Sequence, residues 1–359
     1  MTPDREEPPV HVPDGFLDVP TSIATGVVAA GVVAVSLRRA REELAESTAA
    51  APMAGLVAAF VFAVQMLNFP VGVGTSGHLM GGALAAVLVG PWTAIICLAV
   101  VVTLQALLFA DGGVSALGSN VFLIGIVTVV VGYAVARGLM AVLPKRPASA
   151  VPAAAVGALV SVPATALVFV GLYSVGGAAE LDLSQLAVFM LSWHVLIGIG
   201  EAVITGLTVG AVVATRPDLV RLTRRYRTSL LLTDADGTSR EVSAAPVTDG
   251  VKRIGVRWVA GALGVCLVLA GLVSSFASAN PDGLEYVAER VGFIDTAEDS
   301  VVAGSPFGDY AVVGIDNPIL ATGLAGVLGV VIALGVGLLI ARAVRPKAPG
   351  ASARDTEKV

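Results

Sequence analysis

Nine stretches of nearly uninterrupted apolar sequence decide what this chain can fold into. They run at about 19–37, 53–69, 79–90, 92–110, 120–143, 151–175, 186–215, 254–276 and 318–341. A helix needs roughly 20 apolar residues to cross a bilayer, and most of these runs approach that length. Only 14% of the 359 residues are charged, whereas soluble proteins carry about 25%. Such a chain cannot coat a globule of its size with charge. Its 41 glycines suit helices that pack closely inside a membrane. The expectation is an all-α polytopic membrane protein.

The runs group unevenly. Seven precede a polar segment, 216–253, that holds Arg221, Arg224, Arg225 and Arg227. Two follow it, separated by an acidic segment, 277–311. This predicts a seven-helix capture bundle (10–215), a linker (216–253) and a two-helix hairpin with a large outer loop (254–345). The third run is short for a crossing, and Gly90-Pro91 breaks it from the fourth.

The positive-inside rule orients the runs. With the N-terminus outside, the inside segments collect Arg38, Arg39, Arg41, Lys145, Arg146, the linker arginines and the C-terminal basic residues. Only Arg5 and Arg290 fall outside, against many acidic residues there. An anionic outer face concentrates cations; it also fits general surface acidity. The linker and the C-terminus are expected to be cytosolic, in a cell-membrane protein.

Chemistry-bearing residues are few. The three histidines, His11, His78 and His194, all fall at the outer level. Imidazole is the commonest ligand for Ni, Co, Cu and Zn. His11 lies in Val10-His11-Val12-Pro13-Asp14-Gly15, which reads as a tight turn able to fold His11 over the bundle or simply to cap the next helix. Glu201 stands alone in a run, seven residues after His194. That spacing puts both on one helix face, where Glu201 either supports a bound cation or bonds to a neighbouring helix. Ser76 sits two residues before His78, with no third member for a nucleophilic triad. Cys97 and Cys266 are not spaced as a metal motif. No zinc motif and no Walker-type loop occurs, so any ATPase is a separate chain. No enzyme activity, bound cofactor or nucleic-acid partner is expected.

Several motifs then carry a likeness. They are His11-Val12-Pro13-Asp14-Gly15-Phe16-Leu17, Asn68-Phe69-Pro70, Gly74-Thr75-Ser76-Gly77-His78-Leu79-Met80-Gly81-Gly82, Gln105 through Gly113, and His194 with Gly198-Ile199-Gly200-Glu201-Ala202. They resemble the cobalt/nickel substrate-binding component (CbiM/NikM type) of energy-coupling factor transporters. Pro281-Asp282-Gly283-Leu284-Glu285 resembles the PDGLE domain, a CbiN/NikN-like part fused to such components.

The resemblance implies capture of Co²⁺ or Ni²⁺ as transported substrate, with a transmembrane coupling (T) subunit and cytosolic ATPase subunits as partners. It implies a planar nitrogen site made by a free N-terminal amine, the backbone nitrogen and imidazole of the next residue, and a histidine from the loop before the third run. Those positions map to Val10, His11 and His78, with Ser76, His194 and Glu201 as supporting residues. The family begins Met-His, whereas nine residues precede Val10 here. One explanation is that Val10 is the true initiator; a chain that starts at Met1 needs another ligand in place of the amine. Cobalt is the expected ion and nickel the alternative; a stand-alone secondary transporter or channel is the rival class.

Overall fold

A computed structural model describes residues 11–72, 74–226, 230–233, 239–242 and 254–346. Helix α1 (Val19–Ala45) leads to α2 (Ala50–Gln65), a hairpin of β1 (Phe69–Gly72) and β2 (Thr75–Gly77), and the short α3 (Gly82–Val89). Then come α4 (Pro91–Leu108), α5 (Leu117–Asn120), α6 (Thr128–Val142), α7 (Ala150–Gly176) and α8 (Leu183–Thr215). A small hairpin, β3 (Leu230–Thr233) and β4 (Ser239–Val242), lies in the linker. The C-terminal part holds α9 (Val256–Gly271), α10 (Gly283–Val291) and α11 (Pro318–Val344).

Seven helical runs among the described residues are long and apolar enough to cross a membrane. Five precede the linker and two follow it. The second and third apolar runs fold as shorter helices, α2 of 16 residues and α3 of 8. The fifth run, Leu117–Val142, is continuous but passes through a π-helical stretch at Val121–Val127. The chain is a multi-pass membrane protein.

Local chemistry sets the helix ends. Asp18 caps α1 by accepting the Thr21 amide at 2.9 Å, and Asp182 caps α8 through the Ser184 and Gln185 amides. A carboxylate at such a position satisfies an amide with no partner within the helix. Between α3 and α4, Gly90 takes φ 97°, a left-handed value that suits glycine. Pro91 then starts α4, where its missing N–H costs nothing.

The outward faces are apolar. Ile23 and Val27 on α1 and Val188, Ile199, Val203 and Leu207 on α8 are exposed, a surface suited to lipid. The inward face of α8 carries Met190, His194, Ile197 and Glu201, spaced three or four apart as one stripe.

The C-terminal hairpin is not a separate body. Gly329 of α11 lies against Phe62, and Gly337 against Ala58 and Gly55, all three on α2. Gly326 lies against the Ala270 carbonyl of α9. Missing side chains let these backbones approach and gain packing contact, the main attraction available between helices in lipid.

Two segments at one end dip into the bundle. Helix α3 rises only about 12 Å, against about 40 Å for α1. Its far end, Gly90, touches Glu43 near the foot of α1, so the segment 78–81 starts well inside. Gly118 packs on Gly26, in the third turn of α1, and draws the adjoining 111–116 loop inward too.

Candidate metal centre

The backbone of the His11 segment is fastened on every side. Asn120 accepts from the Val12 amide at 3.0 Å and donates to the Val12 carbonyl at 2.9 Å, the pairing a neighbouring strand would offer. The Gly113 amide also donates to the Val12 carbonyl, at 3.0 Å. Asp14 takes the Val114 amide at 3.1 Å, the Ser115 amide at 2.7 Å and the Ser115 hydroxyl. Gly112 has φ +90°, and a side chain there would meet the His11 Cβ. Asp111-Gly112-Gly113 is thus a close-approach loop built around His11.

His78 is placed from below. Both oxygens of Glu201 accept backbone amides, Met80 at 2.9 Å and Gly81 at 3.0 Å. One buried carboxylate on α8 therefore clamps the turn that leads from His78 into α3. Glu201 thus supports the His78 loop through its backbone. Ser76 bonds away from His78: its amide and hydroxyl donate to the Pro281 and Asn280 carbonyls at 2.8 and 2.7 Å.

The two imidazoles meet. The His11 and His78 ring centroids are 5.2 Å apart and nearly perpendicular, and both side chains are buried. An imidazole nitrogen binds a transition metal at about 2.0–2.1 Å, which puts its ring centre a little over 3 Å from the ion. Two rings sharing an ion then have centres roughly 4.5–6.4 Å apart. His194 lines the same cavity, of about 50 Å³, with His11, His78, Met190 and Asp282.

Each ring commits Nδ1 to an oxygen. His78 Nδ1 lies 3.2 Å from the Leu79 carbonyl, and His194 Nδ1 2.8 Å from the Met190 carbonyl. Carbonyls only accept, so each Nδ1 carries the proton and each Nε2 keeps a lone pair. Metal-binding histidines are commonly oriented this way. At His11 the backbone N–H and Nδ1 converge on one atom, Asp111 Oδ1, each at 3.3 Å. His11 Nε2 is buried with no hydrogen-bond partner.

Burial alone would lower the pKa of His11, but the charge and hydrogen bonds of Asp111 carry it above the usual value. Burial opposes the charge on Asp111 as well, yet His11, helped by the Tyr310 hydroxyl at 2.6 Å, brings it down to about 2. Burial, with the positive charge of His11, drops His78 to about 4. The pocket thus holds an ionised Asp111 paired with His11 beside a neutral His78, so a cation gains the carboxylate once the His11 proton leaves.

Val10 lies outside the described residues. Among the described residues, no three His, Cys, Asp or Glu side chains are grouped so as to hold a metal ion. The motifs do not single out Asn120 or Tyr310. The run Asp111-Gly112-Gly113 was the available signal, because paired glycines beside a carboxylate mark a place where another backbone comes close.

The family model for the cobalt uptake substrate-specific transmembrane region, CbiM, matches residues 11–219, and the PDGLE domain matches 256–346. A putative fused nickel transport protein, NikMN, of Archaeoglobus fulgidus is 32% identical over 94% of this chain and 99% of its own length. A fused nickel transport protein, NikMN, of Rhodobacter capsulatus is 37% identical over 35% of this chain and 36% of its own. A crystal structure of a transition metal transporter aligns with TM-score 0.51 at 31% identity, covering 60% of this chain and 99% of that one. With its two matched regions covering both halves, the chain belongs to the CbiM family of metal-uptake membrane components, fused to a PDGLE domain.

Proposed function

We propose that this chain is the metal-capture subunit of an ATP-driven energy-coupling factor importer, with its histidine end outside and its linker and C-terminus in the cytosol. The observation that carries this reading is the 5.2 Å meeting of the His11 and His78 rings beside an ionised carboxylate. His11 and His78 hold the ion, and Asp111 balances its charge. The backbone nitrogen of Val10, on the residue before His11, is a further donor. The capture domain spans 10–215, the linker 216–253 and the PDGLE part 254–345.

Nickel is the substrate we assign, in place of the cobalt expected from the motifs. The relatives above that share the fused organisation are named as nickel transport proteins, and nitrogen donors bind Ni²⁺ more tightly than Co²⁺. A transmembrane coupling protein and separate ATPases supply the drive, since the chain has no nucleotide-binding loop of its own. The stand-alone carrier would need a charge along a pathway. Glu201, the carboxylate that the sequence sets inside an apolar run, has both its oxygens occupied by Met80 and Gly81.

Uptake of ⁶³Ni²⁺ into cells that carry this chain, with and without the partner ATPase subunits, tests the assignment. Uptake that needs the ATPases and is lost in His78→Ala supports it. Equal uptake without them would return the stand-alone carrier.

A further inference from the structure

The C-terminal part brings a carboxylate into the same cavity. Asp282 opens α10 in a capping box: its Oδ1 accepts the Glu285 amide at 2.9 Å, and Glu285 accepts the Asp282 amide at 3.3 Å. Its other oxygen, Oδ2, lies 3.8 Å from His78 Nε2. Both side chains are only 6% exposed, and both line the cavity with His11 and His194. The Glu285 and Leu284 amides hold the carboxylate from the helix side, and Oδ2 faces an imidazole nitrogen that has a lone pair.

This placement is built in from two sides. The residues just before Asp282 are stitched to the His78 loop, through Ser76 to the Asn280 and Pro281 carbonyls. Further along, the Glu298 amide donates to the Asp14 carbonyl at 2.8 Å, and the Tyr310 hydroxyl donates to Asp111. The segment from 278 to 310 thus straps both metal-facing loops of the first part.

We infer that Asp282 is a ligand which the PDGLE part contributes to the captured cation, its Oδ2 and His78 Nε2 taking the same ion. This rests on the reading of His78 as a ligand. With donor distances of about 2.0–2.2 Å, an ion bridging a 3.8 Å gap subtends roughly 130°. A closing movement of under about 1 Å brings that to a right angle. Mixed nitrogen and carboxylate donors suit Ni²⁺ and Co²⁺. The negative charge offsets the cost of taking a divalent ion out of water. Because Asp282 belongs to the strap, lifting the strap removes a ligand, and retention of the ion is tied to its seating.

Asp282→Asn separates the ligand from the cap, since asparagine caps a helix as well as aspartate does. The full chain is purified in detergent, titrated with NiCl₂ by calorimetry, and examined by Ni X-ray absorption. The expected result is a loss of at least about tenfold in Ni²⁺ affinity, a changed absorption spectrum for the atoms bonded to the ion, and an unchanged melting temperature without metal. Glu285→Gln, which disturbs the cap from its other partner, should bind Ni²⁺ within about twofold of the parent. Parent-like affinity and spectrum in Asp282→Asn, with binding lost in His78→Ala, would overturn the assignment and leave the histidine site standing. So would equal weakening in Glu285→Gln, which would mark a purely structural role. Parent-like binding in His78→Ala would remove the histidine site itself.

Discussion

His11 presents its backbone N–H and its ring Nδ1 to a single oxygen of Asp111, each 3.3 Å away. The residue is thus held by its chelating edge. Two nitrogens of one residue that point to one place are already arranged as a metal chelate arranges them, and the atom they face is an anion. On the proposed function, a cation entering there displaces the protons that these two nitrogens now direct at Asp111, and it meets a carboxylate that balances its charge.

Asp111→Asn keeps the shape of that contact and removes its charge. Ni²⁺ affinity should fall by about 10- to 100-fold, the range for residues that orient metal-binding histidines. Calorimetry on the purified protein measures it. An unchanged affinity would mean that the loop, and not the carboxylate, sets the His11 position.

Glu201→Gln tests the clamp beneath His78. One oxygen becomes an NH₂ that faces a backbone N–H, so either the Met80 or the Gly81 amide loses its acceptor. Leaving a buried amide unpaired costs about 1–3 kcal/mol. The melting temperature should fall and the His78 loop should loosen, with weaker Ni²⁺ binding. Full stability in this variant would contradict the two hydrogen bonds as the means of holding the loop.

The pH dependence follows from His11. Its folded pKa is raised, and a metal competes with its proton. Below that raised value apparent affinity should drop by roughly tenfold per pH unit, and above it should level off. His78, at about 4, and Asp111, at about 2, add no slope near neutrality, whereas Asp282, which burial pushes up to about 7, adds a second proton to displace there and steepens the fall below that pH. For the metal-free fold the sign reverses. A raised histidine pKa stabilises below the unfolded value of 6.5, and that stabilisation is lost as pH rises through the folded value. Calorimetric titrations of the purified protein from pH 5.5 to 8 check the first statement, and melting curves of the apoprotein check the second. In Asp111→Asn the levelling point should move to lower pH.

The membrane architecture was legible because it follows from the length and spacing of apolar runs. Even the shortness of α3 showed, in Gly90-Pro91. The site was partly legible. Three histidines in so long a chain, all assigned to one membrane level, single themselves out, and His11 and His78 do meet. Asp282 could not be paired with His78 from sequence, because the pairing depends on how the C-terminal hairpin packs on α2. Glu201 was seen to share a face with His194, but its partners belong to a turn at the foot of a β-hairpin that the apolar pattern does not reveal. Asp111 and Asn120 looked like ordinary loop and helix-end residues, since their use depends on a backbone arriving from a distant part of the chain.

The most direct test of the account is Ni²⁺ binding to the purified full chain, compared among the parent, His11→Ala and His78→Ala, with circular dichroism as a check on the fold. The parent should bind one ion tightly, and each variant should lose high-affinity binding while keeping parent helicity. Parent-like affinity in either variant would show that the two imidazoles do not share an ion.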